Sequence, residues 1–135
     1  MSINTLYNSL TKEYYKYKEN NLVVDFKKKY SLEERKSKFG EIIKKYPTRC
    51  PIVCYTSPEL PNLKNSKFLV GSDLVYTNFL FSIRKNIDIK PEESIYMFIN
   101  NKLMSSNKMM GDIYENNQDE DGFLYVYICS ENTFG

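Results

Sequence analysis

The sequence predicts an α+β domain: a four-stranded mixed sheet, a crossover helix on one face, and further helices ahead of the sheet. Three observations carry this. Four short apolar runs have strand length and β-branched or aromatic content: residues 49–55 (RCPIVCY), 67–70 (KFLV), 95–99 (IYMFI) and 123–129 (FLYVYIC). The last two are apolar on both faces and therefore belong inside a sheet. Between the second and third runs, Phe79, Leu80, Ile83 and Ile87 share one helical face, on a stretch long enough to cross over a sheet.

In chain order, residues 1–22 are rich in Asn, Lys and Tyr, with Leu6, Leu10, Tyr14 and Tyr17 at near-helical spacing. They read either as a helix or as a mobile extension. Val23, Val24 and Phe26, followed by Lys27-Lys28-Lys29, read as a short helix or an arm. Residues 31–46 give the clearest helix. Ser31 with Glu34 makes a capping box, and Leu32, Phe39, Ile43 and Tyr46 form a stripe. Lys44 and Lys45 favour the negative end of the dipole, and Pro47 stops the helix.

Pro51 puts the first strand either at a sheet edge or near its own start, because proline has no N–H to give a ladder. Residues 56–66, with Pro58, Pro61 and Asn62, form the long loop of a hairpin that ends at Gly71. Thr77 is the expected cap of the helix 77–87, and Pro91 marks a turn. Asn100-Asn101 tolerate the positive φ of a tight turn. Residues 109–115 give one or two helical turns, 116–121 an acidic loop, and 123–129 the central strand. This order is that of the ubiquitin-like β-grasp.

The chain of 135 residues fits one domain, and 41% hydrophobic with 15% aromatic content supplies a core. No run approaches the ~18 apolar residues of a membrane span, and no signal-peptide pattern opens the chain. The expectation is a soluble cytoplasmic protein. There is no histidine, which excludes Ser-His-Asp and Cys-His catalysis and any zinc site using His. Cys50, Cys54 and Cys129 show no C-x-x-C spacing and are expected as buried small hydrophobes in a reducing compartment. No enzyme activity, cofactor or metal is expected. Residues 1–49 hold 12 Lys/Arg against 6 Asp/Glu, and the remainder 7 against 11. A basic front on a mildly acidic body favours acidic partners. A nucleic-acid module is disfavoured because no basic stripe or recognised motif lies on the body.

Glu33-Glu34-Arg35 and Lys44-Lys45-Tyr46-Pro47-x-Arg49-x-Pro51-Ile52-Val53 resemble the autophagy-related protein 8 family of ubiquitin-like modifiers, which includes GABARAP and the microtubule-associated light chain 3 proteins. The resemblance continues through Lys67-Phe68-Leu69-Val70-x-Ser72-Asp73-Leu74, Phe79 to Ile83-Arg84-Lys85 and Phe98-Ile99-Asn100-Asn101. It closes with Met110-Gly111-x-Ile113-Tyr114, Asp119 to Tyr125 and an aromatic-Gly end. It implies an N-terminal extension (1–23) and a ubiquitin-like domain (24–135). The domain divides into a helical part (24–46), a β-grasp core (49–130) and a tail (131–135).

The resemblance further implies conjugation of Gly135 to phosphatidylethanolamine. Activating and conjugating enzymes would carry it out and deconjugating enzymes would reverse it. The conjugate would sit on the autophagosome membrane or, in some protists, serve a plastid. Family members usually carry residues after this glycine. Either no maturation is needed here, or the sequence stops short of them. Cargo receptors with an aromatic-x-x-aliphatic motif would add as a strand to 67–70. Carried over by position, Ile42, Pro51, Val53, Lys67, Leu69 and Phe123 would line an aromatic pocket. Phe68, Val70, Leu74, Phe79 and Ile83 would line an aliphatic one. Arg49 and Lys67 would meet the acidic flank of the motif, and Arg84 would contact conjugation enzymes. Gly71, Ser82 and Lys38 depart from the family's usual Pro, Leu and acid. The face around Tyr96 and Phe98 is a second receptor site by the same resemblance, and the Lys-Tyr mix at 12–18 suits a lipid interface. An unconjugated peptide-binding adaptor of the same fold is the alternative.

Overall fold

The computed structural model describes residues 25–100, 102–104 and 107–130. The Leu6–Tyr17 stripe, the Lys-Tyr mix at 12–18, Val23, Val24, Asn101 and the tail with Gly135 lie outside the described residues. In chain order the elements are α1 (Asp25–Lys29), α2 (Leu32–Lys45), β1 (Arg49–Thr56), β2 (Lys67–Gly71), α3 (Tyr76–Arg84), β3 (Ile95–Ile99), β4 (Lys102–Leu103), α4 (Met110–Asn117) and β5 (Leu124–Ser130).

The sheet order is β2-β1-β5-β3-β4. β1 and β5 pair in parallel, from Ile52 opposite Leu124 to Thr56 opposite Ile128, and every other pair is antiparallel. The first and last long strands therefore lie side by side at the centre, which is the β-grasp arrangement. The sheet has five strands rather than the expected four. The extra one, β4, has two residues and exists because Asn100, at φ 50°, turns the chain back onto Phe98 and Ile99.

β1 is interior, so the edge reading of Pro51 fails and the strand-start reading holds. Pro51 precedes Ile52, where the ladder to β5 begins, and costs that ladder no donor.

The sheet's two faces follow from alternation along each strand. On one face Ile52, Cys54, Met97, Leu124, Val126 and Ile128 meet Tyr76, Phe79 and Ile83 of α3 and Met110 and Ile113 of α4. This is the main core. On the opposite face Val53 and Phe123 meet Phe26 of α1, with Phe39 and Ile42 of α2 packed on them. All three cysteines are free and buried.

The helices show where local signals win. Ser31 caps α2: its hydroxyl accepts from Glu34 N–H at 3.2 Å, and the Glu34 carboxylate accepts from Ser31 N–H at 3.1 Å. The hydrogen bonds from Ser31 hold the Glu34 carboxyl below its ordinary value. The expected stripe is only half right. Leu32, Phe39 and Ile43 are half-buried, whereas Tyr46 is 41% exposed at the C-cap. The buried residue of α2 is Arg35.

Thr77 does not cap α3. The helix starts one residue earlier, after Val75, with no side-chain cap. Val75 instead bridges to Met109, and Tyr76 N–H donates to Lys108 O at 2.8 Å. The C-terminal end comes early too, at Arg84, where Asn86 folds back onto Ser82 O and Ile83 O. Among the described residues, no helix is long and apolar enough to cross a membrane.

Candidate functional site

β2 is an edge strand, and among the described residues no strand pairs with its outer side. Such an edge can accept an added strand through main-chain hydrogen bonds. Alternation along β2 splits the expected pocket residues onto the sheet's two faces. Phe68 and Val70 lie on the main-core side, while Lys67 and Leu69 lie on the α1–α2 side. A peptide added at this edge would send alternate side chains to the two faces, one towards each set.

The aromatic set converges. Pro51, Val53 and Phe123 are buried, Ile42 and Leu69 are half-buried, and Lys67 is exposed at the rim. Phe26, absent from the expected set, stands among them. Its ring meets Phe123 edge-on at 5.1 Å, and the Lys67 ammonium lies 5.0 Å from its centroid. The sequence signal for Phe26 was slight: one aromatic before three lysines. The aliphatic set is layered. Phe79 and Ile83 are fully buried core residues, and Phe68, Val70 and Leu74 are half-buried in front of them. Phe68 rests edge-on against Phe79 at 5.5 Å. Phe79 and Ile83 thus form a floor, and the three half-buried residues provide the accessible wall.

The two cations expected at the acidic flank, Arg49 and Lys67, stand apart. Arg49 pairs with Gly71 and Lys67 with Val53, so the two sit at opposite ends of the β1–β2 ladder. Four residues of strand separate them by about 13 Å. Lys67 instead shares the rim of a cleft of about 500 Å³ with Lys28 and Lys29, beside Phe26 and Tyr30. The lysine run after Phe26 was visible in sequence, but its place next to Lys67 required the fold.

Two ion pairs tie the α1–α2 layer to the loop that leads into β5. Arg35 Nε donates to Asp121 Oδ2 at 2.9 Å, and its Nη1 donates to Tyr30 O at 2.8 Å. Asp121 also accepts from Phe123 N–H at 2.8 Å and from the Tyr125 hydroxyl. Burial works against the Arg35 charge, but the Asp121 contact outweighs it and the guanidinium pKa rises. Burial and the adjacent carboxylate push the Tyr125 phenol up, so it stays a donor.

The second pair is Lys27 Nζ to Asp119 Oδ1 at 2.8 Å, with the ammonium also over the Tyr125 ring at 4.5 Å. Burial raises the Asp119 pKa, but hydrogen bonds from Lys27 and the Asp121 N–H more than offset it and leave it lowered. A carboxyl lowered on folding stabilises above its unfolded value and loses that contribution as pH falls through its folded value. Asp119→Asn should therefore cost about 0.5 kcal/mol at pH 7, small because the pair is partly solvated. Thermal melts of the two proteins should converge as the pH is taken below the carboxylate range.

Arg84 points back into the protein. Its guanidinium donates to Glu93 O at 2.7 Å, Pro91 O at 3.1 Å and Lys90 O at 3.4 Å, clamping the turn before β3. Of the departures from the family pattern, Lys38 places its ammonium 4.3 Å from the Tyr30 ring centroid. Ser82 donates to Asn78 O within its own helix at 3.2 Å. A Cβ at Gly71 would lie 2.9 Å from Asp73 Oδ1. Among the described residues, no group of three or more His, Cys, Asp or Glu is placed to hold a metal.

The family model described as autophagy protein Atg8, ubiquitin-like, matches residues 34–135. Autophagy-related protein 8 of Mycosarcoma maydis is 42% identical over 112 residues, covering 82% of this chain and 95% of that protein. Autophagy-related protein 8e of Arabidopsis thaliana is 41% identical over 112 residues, covering 82% and 92%. Among solved structures, Trypanosoma brucei ATG8 superposes with a TM-score of 0.75 at 32% identity, covering 81% of this chain and 96% of that one. Plasmodium falciparum Atg8, solved in complex with a Plasmodium falciparum Atg3 peptide, gives 0.72 at 30% identity, covering 80% and 99%. The β-grasp order, the open edge at β2 and the match over residues 34–135 have one explanation: the chain belongs to the Atg8 family of ubiquitin-like autophagy proteins.

Proposed function

We propose that this protein is a modifier joined through Gly135 to phosphatidylethanolamine, and that on the membrane it recruits receptors carrying an aromatic-x-x-aliphatic motif with acidic neighbours. The observation that carries the receptor half is the open edge of β2, with an apolar set on each face and three lysines at one rim. The Plasmodium relative was solved with an Atg3 peptide. The Atg3-like conjugating enzyme is therefore the first partner to test at this edge. In this reading the chain is the acyl donor. Activation makes the glycine carboxylate reactive, and the attacking thiolates belong to activating and conjugating enzymes. Glycine suits that role because no side chain obstructs its passage into a narrow site. Arg84 remains a candidate enzyme contact through the turn it clamps. On this proposal the protein is cytoplasmic until lipidated and then sits on the autophagosome membrane.

The test is reconstitution with ATP, activating and conjugating enzymes and phosphatidylethanolamine liposomes, read by intact mass. The native protein should gain one lipid, and Gly135→Ala should gain none. In parallel, an acidic receptor peptide should bind Lys67→Glu about tenfold more weakly than the native protein, with a flatter salt dependence. No adduct with peptide binding intact would leave an unconjugated adaptor. Unchanged affinity in Lys67→Glu would remove the lysine rim from the recognition surface.

A further inference from the structure

Three of the six residues expected to line the aromatic pocket already meet the protein's own Phe26. Its ring lies edge-on to Phe123 at 5.1 Å, packs in one buried cluster with Val53, and carries the Lys67 ammonium 5.0 Å from its centroid. Phe39 of α2 rests on the same Phe123 ring at 5.8 Å. As a result Val53 is 2% exposed, Phe123 5% and Phe26 itself 7%. An aromatic anchor binds by burying its ring against an apolar floor. Here the floor is covered by an aromatic ring of this chain, and close packing leaves no room for two rings on one floor.

The way Phe26 is held allows it to leave. α1 has five residues, well short of the roughly 12–15 that a helix needs to stand alone, so side-chain contacts set its position. Behind it, Tyr30 is anchored: Arg35 donates to Tyr30 O at 2.8 Å and is itself fixed on buried Asp121. Ahead of Tyr30 the tie is weaker. The Lys27–Asp119 pair has side chains 31% and 22% exposed, and partly solvated pairs contribute little. Lys67, which caps the Phe26 ring, is exposed as well. A firm anchor behind and a weak tie in front make Tyr30 a hinge. Beside the ring lies the cleft of about 500 Å³, lined in part by Phe26, Val53 and Lys67. The ring can turn into it without dismantling the α2 layer.

We propose that Phe26 occupies the aromatic site in the free protein, and that the aromatic anchor of an acidic receptor peptide must displace it towards the cleft. Phe26 is then a competitor for the site rather than a wall of it, and the tie on α1 sets how readily a receptor enters. The proposal rests on the β2-edge reading of receptor binding and adds to it the group that binding must move. It does not depend on conjugation at Gly135.

The decisive measurement uses the unaltered full chain and an acidic peptide with one Trp-x-x-Leu motif. In the free protein, nuclear Overhauser contacts should join the Phe26 ring to the Val53 methyls. Saturation with peptide should remove them and place the peptide's Trp on those methyls. Binding with the Phe26–Val53 contacts kept overturns the proposal and leaves the β2-edge reading standing. A second measurement is affinity by calorimetry. Phe26→Ala should bind the peptide at least about fivefold more tightly, because no ring has to be moved first. The gain should vanish for a peptide whose Trp is replaced by Ala. Weaker binding by a cooperatively folded Phe26→Ala makes Phe26 a wall of the pocket and overturns the proposal. Should Phe26→Ala not fold, Lys27→Ala loosens α1 instead. Its preference for the Trp peptide over the Ala peptide should widen about twofold, a ratio in which the lost charge cancels. An unchanged preference overturns the proposal. Binding by neither the native protein nor the variants removes the β2-edge reading and this proposal together.

Discussion

Asp121→Ala is expected to lower the unfolding free energy by about 3–5 kcal/mol, the range for breaking one side of a buried ion pair. The Asp121 side chain is fully inaccessible and that of Arg35 is 10% exposed, so the guanidinium cannot swing into water without dismantling the α2 contact. The substitution removes more than a charge. Phe123 N–H and the Tyr125 hydroxyl lose their acceptor, and each unmet buried donor adds its own desolvation penalty. Arg35→Met should cost less, because the carboxylate left behind keeps the Phe123 N–H and the Tyr125 hydroxyl as donors. The double variant Arg35→Met/Asp121→Leu should recover much of the loss, since well-packed apolar groups often replace a buried pair at little cost. Urea unfolding at pH 7 measures all three. A loss under about 1 kcal/mol for Asp121→Ala would mean that the pair is solvated in solution. Receptor-peptide affinity should fall in the same variant, because Asp121 fixes the backbone of Phe123, which belongs to the aromatic set.

The Arg35–Asp121 pair also marks the limit of what was legible in the sequence. Signals confined to a few residues carried through. Ser31 and Glu34 cap α2, Asn100 takes the positive φ, and the two-sided run 123–129 lies at the sheet centre. What failed depended on partners distant in the chain. Arg35 is buried because of a carboxylate 86 residues away, and nothing in the helical pattern of 31–46 distinguishes it from Lys36. Thr77 was the better local cap, yet the Val75–Met109 bridge fixed where α3 begins. β4 is two residues long, too short for any periodicity to declare it. For the candidate site, the resemblance named the strand and both apolar sets. Register was needed to see that Arg49 and Lys67 are far apart, and packing to see that Phe26, Lys28 and Lys29 join Lys67.

Gly122→Ala is expected to cost about 2–5 kcal/mol, from two sources that can be separated. Gly122 has φ +98°, a conformation that any side chain strains, at about 1–2 kcal/mol. A Cβ built there would also lie 2.4 Å from the Phe39 ring, so the ring must move, at a further 1–3 kcal/mol. The backbone cannot relax easily. Gly122 N–H donates to Asp119 O at 2.9 Å, and Gly122 O accepts the Tyr114 hydroxyl at 2.7 Å. Burial pushes that phenol up to about 12, so it remains a donor across the working pH range. In a Phe39→Ala background the steric part should vanish and the conformational part remain, leaving about 1–2 kcal/mol for Gly122→Ala. An unchanged cost in that background would mean the ring is not the obstacle, and no cost at all would mean the backbone is not strained. The variant also bears on function. Phe39 rests edge-on against Phe123 at 5.8 Å, and Phe123 against Phe26 at 5.1 Å. A displaced Phe39 therefore pushes on the two rings around which the aromatic set is assembled. Receptor-peptide affinity should drop in Gly122→Ala even at temperatures where the protein stays fully folded.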